Sequence, residues 1–243
     1  MEKRRKKKTA LRFTTLLLVM FIVTGGYSTY HYFLKKETAP ISISKLPTLP
    51  EGFKSYGIDI SHHQGEIDWD TFFQQSDSTI RFIYCKVTEG ELLEDRQWPT
   101  NHARLSHEKI PHGGYHFFRP SIDPTIQAKH FLKHYKHTEA SLPPALDVET
   151  EGVSDKVLIS NMKTWLNIVE KATGKRPVIY TSYNFYSEKF KHHFDTYKFW
   201  VANYSNSSHR FVDEQIIHWQ FSETGEVPGI KGFVDLNYSK IGF

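Results

Sequence analysis

Hydrophobic and polar positions change period along this chain, and the changes predict its elements. Short runs rich in branched and aromatic residues recur at 56–61, 81–88, 113–118, 145–149, 177–181, 199–203, 216–221 and 233–237. Each has the length and composition of a β-strand. Between the first five lie segments with helical spacing, at 68–75, 100–108, 124–135 and 154–173. The last of these carries Val157, Leu158, Met162, Trp165, Leu166 and Val169 at near-helical intervals. Alternating strands and helices predict an α/β fold with a parallel sheet, closed or wound, and helices outside. The later strands follow one another with less helix between them, so the last third should be irregular.

The N-terminus follows another rule. Residues 13–34 are 22 positions without Asp, Glu, Lys or Arg, and as a helix they would reach roughly 33 Å, close to the hydrocarbon thickness of a bilayer. Residues 1–12 carry seven Lys and Arg against one Glu. That bias keeps a basic tail over 1–12 cytoplasmic, makes 13–34 a transmembrane anchor and sends the rest of the chain to the periplasmic or extracellular side. The alternative is a signal peptide and a secreted product. No small-x-small site follows the apolar run, which favours the uncleaved anchor. Residues 35–54, with Lys35, Lys36, Pro40, Pro47 and Pro50, read as a linker without helical or strand periodicity. Residues 55–243 then form a single domain.

Composition and charge narrow the classes. The formal charge of +4 in 243 residues sits in the tail, leaving a slightly acidic body, so a basic face for nucleic acid is excluded. One cysteine, Cys85, makes no internal disulfide and reads as a small buried apolar residue. Among the 14 histidines, His130, His134 and His137 have chelating spacing, but Lys129, Lys133 and Lys136 crowd them, so no metal is expected. His62 and His63, being adjacent, should point apart and bring at most one ring to a site. No cofactor is implied, and the absence of heptads or repeats points to a monomer.

The chemistry lies in acidic residues within otherwise apolar strands, which are costly to bury without partners or work. In a barrel such residues gather at the carboxyl ends of the strands. In 145–149, Asp147 and Glu149 stand two apart, on one face of a strand with α-carbons about 6.6 Å apart. Neighbouring carboxylates do not both ionise cheaply, so one keeps a proton and serves as a general acid. Glu149, longer and nearer the open end, is the expected acid and Asp147 its helper. Asp59 and Asp235 supply the further carboxylates that glycosidic cleavage calls for. Tyr115, Tyr180, Tyr183, Trp200 and Trp219 can stack on sugar rings, while Asn203, Gln220 and Glu89 offer polar contacts at the same rim.

The segments Gly57-Ile58-Asp59-Ile60-Ser61-His62-His63-Gln64-Gly65, Lys86-Val87-Thr88-Glu89-Gly90, Gly114-Tyr115-His116-Phe117, 145–149, Trp200-Val201-Ala202-Asn203-Tyr204, Trp219-Gln220 and 232–237 follow one another in a specific order. In that order they resemble the signature of family-25 glycoside hydrolases, the muramidases, over about residues 55–241. The resemblance implies an irregular TIM-like barrel of eight strands with about five helices. It also implies cleavage of the β-1,4 bond from N-acetylmuramic acid to N-acetylglucosamine in peptidoglycan glycan strands. It makes Glu149 the proton donor with Asp147 beside it, and Asp59 and Asp235 the other acidic members. Net retention follows if the substrate's 2-acetamido group is the nucleophile. The competing expectation is a non-catalytic cell-wall-binding protein on the same barrel.

Overall fold

The computed structural model describes residues 40–76, 78–136, 142–205 and 211–243. The tail, the anchor, the first residues of the linker and His137 lie outside the described residues. Among those described, no helix is long and apolar enough to cross a membrane.

The order of elements is β1 (Ile41–Ser42), β2 (Ser55–Ile60), α1 (Trp69–Ser76), β3 (Ile80–Glu89), β4 (Leu93–Glu94), α2 (Trp98–His107), β5 (His112–Phe117), α3 (Pro124–His134), β6 (Ala145–Asp147), α4 (Asp155–Thr173), β7 (Val178–Ser182), α5 (Tyr183–Phe185, continued by a π-turn over Tyr186–Phe190), β8 (Lys198–Ala202), β9 (Ile216–Glu226) and β10 (Val234–Ser239). Strands β2, β3, β5, β6, β7, β8 and β9 pair in parallel in that order. Strand β10 closes the ring by pairing antiparallel with both β9 and β2. The result is a closed eight-stranded barrel with five helices outside, as the pattern and the resemblance imply.

The helices form where sequence and capping agree. Asp123 accepts from the N–H groups of Thr125 and Ile126 to start α3, with Pro124 in its first turn, where a missing N–H costs nothing. The stripe on α4 buries Leu158, Met162, Trp165, Leu166 and Val169 against the sheet and α3, each burial worth about 1.5–3 kcal/mol. Val157, counted with the stripe, is exposed. Gly174, in the left-handed region at φ 69°, ends the helix.

Inside the barrel, aromatic side chains fill the floor because glycines face them. Gly57 pairs with Phe82, and Gly113 with Tyr84; a Cβ on either glycine would lie 2.4 Å from the opposing ring. Phe82, Tyr84, Tyr180 and Trp200 cluster there.

Two expectations change. Residues 40–54 are not a featureless linker: Ile41–Ser42 adds a strand beside β9, Ile43 and Phe53 are buried in the core, and the Tyr56 hydroxyl donates to the Pro47 carbonyl. Two residues are too few to show a strand period. The run 145–149 also stops being strand at Asp147.

Gly57→Ala should lower stability by roughly 1–3 kcal/mol, because a rigid ring must move to admit the methyl group. A thermal melt that matches the parent's would contradict this packing.

Candidate active site

Three strands and the turn after one of them bring four carboxyl groups to one rim. Asp59 lies near the end of β2, Asp147 ends β6, Glu149 follows two residues later, and Asp235 sits near the start of β10. Because β10 runs antiparallel, its beginning meets the carboxyl ends of the other strands, and Asp235 pairs directly with Asp59. All four line a cavity of about 200 Å³ together with Lys86, Tyr115, Phe117, Tyr180, Trp200 and Gln220. A second cavity of about 440 Å³ shares Glu149 and Tyr180 and continues past Asn203, Tyr204 and Glu223.

The backbone holds the Asp147–Glu149 corner from both sides. Phe118 donates its N–H to the Asp147 carbonyl, Val148 donates to Tyr180, and the Thr181 hydroxyl donates to the Val148 carbonyl at 2.7 Å. Asp147 is buried at 5% exposure, while Glu149 is exposed. Asp147 Oδ1 is buried without a protein N–H to bond it, and its carboxyl faces that of Glu149. Burial, followed by the Glu149 charge, holds the Asp147 carboxyl well above its ordinary range.

Asp59 has a different surrounding. Gln220 Nε2 and Asn237 Nδ2 donate to its Oδ2 at 2.9 and 2.8 Å. Both amides are oriented by hydrogen bonds to their oxygens. Trp200 Nε1 donates to Asn237 Oδ1, and the Tyr180 and Tyr204 hydroxyls donate to Gln220 Oε1, so each NH2 faces Asp59. Burial raises the Asp59 carboxyl to about 6, opposed by the two amides and by Asp235. Burial, then the charge on Asp59, raises Asp235 to about 9. Asp59 and Asp235 titrate as a unit that holds one proton across the neutral range.

Tyr115, Tyr180 and Gln220 thus reach the cavity, and Asn203 reaches the adjoining one. Trp219 does not. It is stacked on Phe211 at 4.0 Å, packs on Phe53 and Tyr238, and donates to the Asn203 carbonyl. Its neighbour Gln220 points inward, so the pleat turns Trp219 away. Glu89 also lies off the cavity, bonded to Lys86 at 2.6 Å and to Arg119. His62 and His63 do not point apart. They form a single 3-10 turn with rings 4.1 Å apart, His63 lining the cavity and His62 donating twice to the buried Asp95. Sequence reasoning missed Lys86 and Asn237 as site residues; an ionic or amide side chain amid apolar strand positions was the available signal. Among the described residues no group of three His, Cys, Asp or Glu is placed to hold a metal.

Comparison with known proteins places this geometry. The family model for glycosyl hydrolases family 25 matches residues 58–230. The chain is 37% identical over 195 residues to an Escherichia coli (strain K12) protein described as "Uncharacterized protein YegX", covering 78% of this chain and 71% of that one. It is 30% identical over 197 residues to Lysozyme M1 of Streptomyces globisporus, covering 74% and 66%. Among solved structures, the bacterial lysozyme from Streptomyces coelicolor superposes with a TM-score of 0.69 at 28% identity, over 78% of this chain and 93% of that chain.

Asp59 and Asp235 bind protons more tightly in the folded state than in the unfolded chain. Their contribution to stability is therefore full at low pH and is lost as pH rises through about 6 and about 9. Asp235→Asn keeps a donor toward Asp59 and removes one ionisation. Its melting temperature should gain on the parent's by a few degrees between about pH 6 and about pH 9. Parallel curves for the two proteins would contradict the assignment.

Proposed function

The chain belongs to glycosyl hydrolases family 25 and is a muramidase-type glycoside hydrolase, and from that premise we propose how its four carboxyl groups act on peptidoglycan. The bond cleaved is the β-1,4 link from N-acetylmuramic acid to N-acetylglucosamine. The observation that carries the reading is the pair of carboxyl dyads, Asp147 with Glu149 and Asp59 with Asp235, opening on one cavity.

Glu149 is the general acid. It is the exposed member of its dyad and lies where both cavities meet, so a glycan running through them passes over it. A sugar covering Glu149 removes its water and draws the shared proton from Asp147 to Glu149, which delivers it to the leaving oxygen. Asp147, now an anion, accepts the N–H of the substrate's 2-acetamido group and steadies its carbonyl oxygen for attack on the anomeric carbon. The result is net retention. Asp59, whose charged form is favoured by its two amide donors, supplies negative charge to the sugar cation of the transition state. Tyr115 and Tyr180 offer ring faces, and Asn203 lies where a neighbouring sugar would sit. Glycan strands are the partner, and no cofactor enters the scheme.

Peptidoglycan lies outside the cytoplasmic membrane, so the barrel acts on the periplasmic or extracellular side. What supports anchorage by residues 13–34 is their uncharged length behind the basic tail; secretion after cleavage is the alternative.

Incubation of the protein with purified peptidoglycan should release fragments with reducing N-acetylmuramic acid ends, identified by mass spectrometry. Glu149→Gln should slow their release about 10²–10⁴-fold. Reducing N-acetylglucosamine ends, or an equally active variant, would refute the assignment, and wall binding with no new ends would favour a non-catalytic role.

A further inference from the structure

Lys86 is an ammonium in an unusual place, on an otherwise apolar strand at 6% exposure. Of the residues lining the catalytic cavity it is the only lysine or arginine. It has little freedom. Glu89 Oε2 lies 2.6 Å from its Nζ, and the Phe117 ring lies beneath it at 4.9 Å. Glu89 is itself held by Arg119, whose guanidinium stacks over the same Phe117 ring at 4.7 Å. A cation, an anion and a second cation thus form a chain that ends at the cavity wall.

The two carboxyl dyads are neutralised differently. Asp59 is solvated by two amides, whereas Asp147 has a buried oxygen with no N–H donor and Lys86 as the one positive side chain across the cavity. We propose that Lys86 is a positioning residue for the reaction: its ammonium, pinned by Glu89 and Arg119, makes room for the negative charge on Asp147 when the shared proton moves to Glu149.

This inference rests on the functional reading above. The other titratable groups facing Asp147 are Glu149 beside it, Asp59 from β2, Tyr115 from β5, Tyr180 from β7 and Asp235 from β10, with His63 on the same wall. Each carboxylate among them opposes ionisation of Asp147. Lys86 opposes their combined effect.

Two substitutions act in opposite directions. Lys86→Met leaves Glu89 bonded to Arg119 and should raise the pH at which Asp147 loses its proton. Glu89→Gln keeps one acceptor for its two cationic neighbours and removes an anion from Lys86, so it should lower that pH. Carboxyl-carbon NMR of the full chain labelled at aspartate, with the Asp147 signal assigned through Asp147→Asn, reads the midpoint directly and needs no catalysis. On peptidoglycan, Lys86→Met should lower kcat about tenfold for each unit the midpoint rises, moving both limbs of the pH profile upward with a smaller change in KM. Lys86→Arg should restore much of the rate. A midpoint unmoved in both variants, in proteins that melt cooperatively, overturns the proposal. A moved midpoint in a parent chain that releases no reducing ends overturns the functional reading and leaves the hold of Lys86 on Asp147 standing.

Discussion

Four carboxyl groups in one small, partly dry cavity cannot all carry charge. Coulomb repulsion at such separations, in a medium less polarisable than water, forces protons to be kept or counter-groups to be supplied. Most polar features around the cavity answer that demand. Asp59 takes amide hydrogen bonds from Gln220 and Asn237, Asp235 keeps its proton across neutral pH, and burial beside Glu149 holds the Asp147 carboxyl well above its ordinary range. Even Trp200, Tyr180 and Tyr204 take part, since their donated hydrogen bonds turn the amides the right way round.

The barrel makes this crowding achievable through one departure from regular parallel order. A strand returning in the opposite sense brings its beginning to the rim, so that Asp235 lies against Asp59 across a single ladder position. Beneath the rim, glycines opposite Phe82 and Tyr84 let rings pack the floor. The carboxyls stand on a filled base, which keeps water from entering from below and restricts their rotamers.

The fold was largely legible because apolar runs of strand length alternate with one well-formed helical stripe after another, and the four acids stood out as charges within apolar runs. What escaped was set by contacts distant in sequence. The direction of β10 depends on which strands it closes between, not on its own residues. Trp219 could have been set aside, since the pleat that points Gln220 inward turns its neighbour outward. Glu89 was expected at the rim but lies off the cavity, and its engagement by Arg119, 30 residues away, has no local signature. The same holds for His62 and Asp95, joined across 33 positions.

The choice of amides rather than ammonium groups to hold Asp59 has an environmental consequence. Attraction between opposite charges weakens as dissolved ions accumulate, whereas hydrogen bonds from neutral, desolvated amides are nearly indifferent to them. An enzyme working beyond the cytoplasmic membrane meets whatever brine or fresh water surrounds the cell. With Asp59 tuned by Gln220 and Asn237, that half of its machinery is insulated from the composition of a medium the cell does not control.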